Sequence, residues 1–227
     1  MYYGMDPQFP ERLRASGYSV TWKFIQSVFE DYSKRGITKD TDRAAAISGL
    51  ETRIAHVLDN ANTPEKSFGT YELFLHRSLL WHRRDRHMGQ INYTDLEVPS
   101  WTWMAYTGGI SFVDIGYGDL DLFKSLRRDG NTMVSDEWAF ADCKIEREAD
   151  GHVILDHGGE KRGWIKYDVD EGENLHMERG IVLGRQQGEY YTMIVRGCKT
   201  EGEYKRVGLG KIQEGYILRQ RSIIRIR

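Results

Sequence analysis

Proline and cysteine are scarce in this 227-residue chain, with four of the first and two of the second. Cys143 and Cys198 cannot build a disulfide framework and lack the Cys/His spacing of a zinc site, so both read as reduced thiols of a cytoplasmic protein. No apolar run approaches the roughly 20 residues that span a bilayer, which argues against a membrane anchor. The opening Met1-Tyr2-Tyr3-Gly4-Met5-Asp6-Pro7 has neither a basic nor an apolar stretch, so a secretory signal is not expected. An excess of one charge is missing as well. Lys plus Arg number 32 against 34 Asp plus Glu, a formal charge of -2, and no net field draws the chain to nucleic acid or anionic lipid.

What is present suits a packed domain: 40% hydrophobic and 29% charged residues, at a length where folding buries roughly 70% of the unfolded surface. Glycine is unevenly spread, six before residue 100 and eighteen after it. This predicts an α+β protein, a helical amino-terminal lobe over 1–97 packed on an antiparallel β sandwich or small barrel over 98–227, as one compact unit. The spacing of Trp22, Ile25, Val28, Phe29 and Tyr32 predicts a helix over 20–35, capped by Ser19 or Thr21 and stopped by Gly36. A second helix, capped by Thr38 or Asp40, is expected to bury Ala44, Ile47, Leu50, Ile54, Val57 and Leu58 and to end near Asn60. Gly49 inside it predicts the close approach of another helix. Residues 59–69 read as a loop, and Tyr71, Phe74, Leu75, Ser78 and Leu79 predict a third helix over 70–82.

Beyond Val98 the period becomes two. Ala139, Ala141, Cys143 and Ile145 predict one strand, followed by others near 153–156, 164–169, 181–185, 190–195, 204–209 and 215–226, with glycine-bearing turns between them. Residues 120–126 fit a short helix or a strand.

Few stretches suggest chemistry. His82-Arg83-Arg84-Asp85-Arg86-His87 offers Arg83, Arg84 and Arg86 as an anion site, against the plainer reading of a solvated loop. His82 and His87 are five apart, which is not the spacing of a helical metal site. Asp168, Asp170, Glu171 and Glu173 read as a charged hairpin, since the register of a calcium loop is absent. His152, Asp156 and His157 flank a turn with no nucleophile motif beside them. No phosphate loop, dinucleotide fingerprint or metalloprotease helix is found, and neither cofactor nor metal is expected. Val98-Pro99-Ser100-Trp101-Thr102-Trp103 is more distinctive: alternation places both tryptophans on one face of an extended segment, as a core plug between helices and sheet or as a ligand-stacking platform.

Several blocks together resemble a known family. Tyr32-Ser33-Lys34-Arg35-Gly36-Ile37-Thr38, then Asp42-Arg43-Ala44-Ala45-Ala46-Ile47-Ser48-Gly49-Leu50, is similar to the segment after the effector domain of fungal heterokaryon-incompatibility proteins. Leu79-Leu80-Trp81, Pro99-Ser100-Trp101-Thr102-Trp103 and the tail Tyr204-Lys205-Arg206-Val207-Gly208-Leu209-Gly210 follow in that family's order. The family's pattern more often has Ser and Ala where Thr102 and Met104 stand. The resemblance implies a part in non-self recognition that ends in growth arrest or cell death. It also implies an effector domain, thought to resemble the Toll/interleukin-receptor fold, expected upstream of Met1. On that basis the chain is expected to be a non-catalytic carboxy-terminal module that regulates or scaffolds the effector through protein contacts. A ligand-binding protein or enzyme, with a pocket rimmed by Trp101, Trp103 and Arg83 to Arg86, is the alternative, and a nonfunctional fragment a third.

Overall fold

The computed structural model describes residues 13, 15–58, 68–85, 88–148, 151–169 and 178–227. Helix α1, Gly17–Ser33, buries Trp22, Ile25 and Phe29, the three- and four-residue spacing that makes one apolar face. The expected caps, Ser19 and Thr21, lie inside it. The chain enters instead through Ser16 and Thr21, whose hydroxyls both donate to the Leu13 carbonyl, at 2.7 and 3.1 Å. Helix α2, Arg43–Val57, follows a single 3-10 turn over Asp40–Asp42 and buries Ala44, Ile47, Ile54 and Val57. Neither Thr38 nor Asp40 caps it; Asp42 precedes its first residue without a side-chain cap bond. Gly49 faces open space, with nothing within 4 Å of where a Cβ would stand, so no second helix crosses there.

The predicted third helix is largely absent. A 3-10 turn, Glu72–Phe74, leads into the single turn α3, Leu75–Ser78, and then into strand β1, Trp81–Arg83. Tyr71, Phe74, Leu75, Leu79, Leu80 and Trp81 are all buried, and a run buried on every side carries no period to distinguish helix from strand. Pairing decides it: β1 lies antiparallel to β2, Ile110–Phe112, with Trp81 opposite Phe112. Both tryptophans of the double-tryptophan segment are buried, but not from one extended face. The Thr102 N–H donates to the Pro99 carbonyl and Trp103 opens a 3-10 turn, Trp103–Ala105, so the two rings enter different parts of the core.

The β part comprises β3, Asp121–Leu122; β4, Arg127–Asp129; β5, Thr132–Phe140; β6, Cys143–Glu148; β7, Gly151–Asp156; β8, Lys161–Tyr167; β9, Glu178–Gln186; β10, Glu189–Gly197; β11, Glu203–Gln213; and β12, Ile217–Ile226. The expected strand through 139–146 is broken at Ala141 and Asp142. Asp142 takes a φ of 52°, and β5 and β6 pair with different neighbours. Pairings β5–β9–β10–β11–β12–β5 close a ring, antiparallel except for the short β11–β12 contact, so the β part is a small barrel. Past Glu203 and Tyr204, β11 leaves β12 for β8, and the antiparallel run β8–β7–β6 extends the sheet outward. Gly208 permits that exchange: a Cβ there would stand 2.6 Å from the Lys166 carbonyl oxygen of β8.

Strands β9, β10 and β11 bury both faces. Ile181, Leu183, Met193, Val195 and Leu209 join the core that holds α1 and α2. Val182, Ile194 and Val207 face a second core with Trp138, Ile154 and Ile165. The architecture is α+β and mostly antiparallel, as the glycine distribution and the change of period predict.

Candidate functional site

Residues from four separated blocks meet in two buried joints between the helical part and the barrel. In the first, Arg43 opens α2 and turns inward, its guanidinium carbon 5.1 Å from the centroid of the Trp103 ring. Its Nη2 donates to the carbonyls of Ser33, at 3.2 Å, and Gly108, at 2.8 Å. Tyr32 OH donates to the Arg43 carbonyl at 2.9 Å, and Ser33 Oγ accepts from the Ile110 N–H at 3.0 Å. Phe29 and Tyr32 pack on Trp103, with centroids at 5.4 and 6.0 Å. Gly69 closes the back. It has a φ of +75°, a Cβ on it would fall 2.8 Å from Trp103 Nε1, and its N–H donates to Glu51 Oε1 at 2.5 Å. Burial lowers the pKa of Arg43, opposed by the nearby Tyr32, Tyr93 and Asp40.

The second joint is built on Arg206 of β11, which is 0% exposed. Its Nε donates to Asp168 Oδ2 at 2.9 Å, Nη1 to the Leu79 carbonyl at 2.8 Å, and Nη2 to the Trp81 carbonyl and to Asp168 Oδ1. The guanidinium lies 3.5 Å from the Trp81 ring centroid. One side chain thereby ties β11, the end of β8 and the entry to β1. Ser100 Oγ accepts from the Arg206 N–H at 3.0 Å and donates to the Arg227 carbonyl; Tyr106 OH donates to the Arg206 carbonyl at 3.1 Å. Trp101 stands apart, its Nε1 donating to the Asn131 carbonyl and its ring under Arg128.

Asp168 is therefore no part of a solvated hairpin. It is 0% exposed; burial pushes its carboxyl up, and the Arg206 charge pulls it back down. Asp170, Glu171 and Glu173 lie outside the described residues. Its missed signal was the partner: an arginine among Val207, Gly208, Leu209 and Gly210 in an apolar strand needs a buried counter-ion, but that partner is 38 residues away. A neighbouring pair repeats the device. Arg196 Nη2 donates to the buried Glu178 at 2.7 Å, and Tyr167 OH donates to the same carboxylate. Burial raises Glu178, partly offset by those two donors, and raises the Tyr167 phenol.

A shallow open cleft lies beside these pairs, lined by Gln90, Tyr106, Tyr167, Arg196, Lys205 and Arg206. Neither Trp101 nor Trp103 rims it. Arg83 ends β1 half-buried and Arg84 is exposed. Arg84 N–H donates to the Gly109 carbonyl, and Asp85 accepts from the Gly109 N–H, so Arg83 to Asp85 form the end of strand β1 and its continuation rather than an interhelix loop. Arg86 and His87 lie outside the described residues. Thr38, Asp42, Arg35 and Gly49 are exposed, Pro99 is buried, and His152 packs its ring edge-on to Tyr167 at 4.7 Å. Among the described residues, no three His, Cys, Asp or Glu side chains group as metal ligands, and no helix is long and apolar enough to cross a membrane. No family model, curated protein or solved structure matches the chain.

Proposed function

We propose that this chain is a non-catalytic module of the kind that follows the effector domain in fungal heterokaryon-incompatibility proteins. In this reading it regulates or scaffolds the effector in the cytoplasm through protein contacts. The observation that carries it is the use made of the resembling residues. Tyr32, Ser33, Arg43 and Trp103 meet in one joint, and Trp81, Ser100, Arg206 and Gly208 meet in or beside the other. Residues scattered from 32 to 208 are thus spent on holding helices to barrel, as expected of a motif that preserves a scaffold rather than a reactive centre. The helix–barrel junction is filled by Trp81, Trp101 and Trp103, all buried, which favours a scaffold over a substrate-binding reading of that junction.

The test is expression in hyphae, alone and joined to an incompatibility effector domain. The chain alone should leave growth unchanged, and its presence should shift the effector dose at which growth arrests. Arrest by the chain alone, or an effector response indifferent to it, would contradict the proposal. A parallel incubation of the purified chain with a nicotinamide dinucleotide should release no nicotinamide, and release abolished by Arg83→Ala with Arg84→Ala would place catalysis here.

A further inference from the structure

The chain is nearly neutral in charge, yet one face of the barrel concentrates unpaired cations. Strand β5 lies between β4 and β12, and register puts Arg127 of β4 and Arg225 of β12 on either side of Val134. Residues directly opposite in neighbouring strands share a face, so the two arginines flank a buried valine from the solvent side. One step along the same face, Ile223 stands opposite Asp136 and is 68% exposed, the highest value among the exposed large hydrophobic residues. Arg221, exposed, precedes it by two residues in the stretch of β12 between Arg219 and Ile223 where the register with β5 shifts.

The charge balance of these three strands is one-sided. Asp136 is held by Arg219 at 2.6 Å, and Glu137 by Arg179 at 2.7 Å and by Ser222. Arg127, Arg221 and Arg225 have no ion pair or side-chain hydrogen bond among the described residues, and Asp129 is the one carboxylate of the three strands left without a cation. Three free guanidiniums around a protruding isoleucine are a poor surface to leave to water alone and a good one for a partner that brings carboxylates and an apolar anchor.

We propose that the β4–β5–β12 face docks an acidic, amphipathic segment of a partner protein. Geometry restricts its form. Arg127 and Arg225 are separated by two strand spacings, roughly 10 Å, and residues i and i+7 of a helix are about 10.5 Å apart on one face. Acidic residues at those positions reach both arginines, while apolar residues at i+3 and i+4 lie over Val134 and Ile223. Fork-shaped guanidiniums donate to carboxylates in two-point contacts, and the surrounding field raises the rate of encounter at low salt. This rests on the module reading in supplying the chemistry of its contact.

The probe is a fluorescein-labelled helical peptide with Glu at i and i+7 and Leu at i+3 and i+4, titrated with the full chain and followed by anisotropy. Binding should appear at low salt and weaken as salt rises. It should fall by about tenfold or more in Arg127→Glu with Arg225→Glu, and by several-fold in Ile223→Ser. The same peptide with Lys for Glu should not bind. Should charge reversal unfold the chain, Arg221→Gln with Arg225→Gln takes its place, with circular dichroism confirming the fold. No binding by wild type at low salt, equal binding by the variants, or equal binding of the Lys peptide would overturn the proposal. The growth assay reads the module proposal separately, so either can fail without the other.

Discussion

Two buried arginines sit on two tryptophans, and they are buried by different means. Arg206 has a carboxylate and every guanidinium nitrogen is used. Arg43 has carbonyls and a ring face, and its Nε has no partner. The difference lies in what each leaves behind when removed. Without Arg206, Asp168 becomes an uncompensated buried charge inside the barrel junction. Without Arg43, two carbonyls lose a donor close to the ends of α1 and α2, where water can reach more readily. The first joint is a lock between strands; the second is a clamp on helix ends.

Substitutions separate the two. Arg206→Ala should cost the most, about 3–5 kcal/mol, because breaking a buried pair strands its partner; urea denaturation measures it. Trp103→Ala empties the centre of the Arg43 joint and should cost a similar amount, roughly 3–5 kcal/mol. Arg43→Ala, which keeps the tryptophan, should cost less, about 1–3 kcal/mol. If Arg43→Ala proved costlier than Arg206→Ala, the distinction between lock and clamp would fail.

Acid should act through two histidines, of which His82 lies close enough to Arg206 to feel its charge. His82 precedes Arg83 on β1 and has its pKa lowered by burial, with Lys166 and Arg206 adding to the effect; burial also lowers His76, whose ring lies 2.6 Å from the Phe123 carbonyl. A histidine whose folded pKa is depressed contributes stability that is complete above its unfolded value near 6.5 and is lost as pH falls through that value toward the folded one. Stability should therefore decline from pH 7.5 to 5.5, and His76→Gln with His82→Gln should flatten that decline. Raised carboxyls at Asp168 and Glu178 act in the opposite sense, so the difference between wild type and the double variant is the quantity to compare. The smallest effect carries the opposite sign: Gly49→Ala, in a helix and facing open space, should stabilise by about 0.5–1 kcal/mol.

Periodicity made α1 and α2 legible because each buries one face and wets the other. The strands after residue 150 were legible because short apolar runs are separated by glycine-bearing turns, even where, as in β9 and β10, both faces are buried. The segment 70–83 was not, since burial on all sides erases the period and the choice of strand was made by Ile110–Phe112, far along the chain. The double-tryptophan segment showed its burial but not its turn. Half of the Arg206 joint was legible too, as the tail block; Asp168 was hidden at the head of an acidic run, where local composition favours solvent and only the tertiary partner reverses it.

A double-mutant cycle on Arg206 and Asp168 is the most direct measurement of whether these buried residues serve as a joint. Arg206→Met should lower the urea midpoint steeply, and adding Asp168→Leu should recover most of the loss by removing the stranded charge. Additive losses, or a midpoint indifferent to Arg206→Met, would contradict the structural role given to this residue and return it to the cleft as a ligand-binding group.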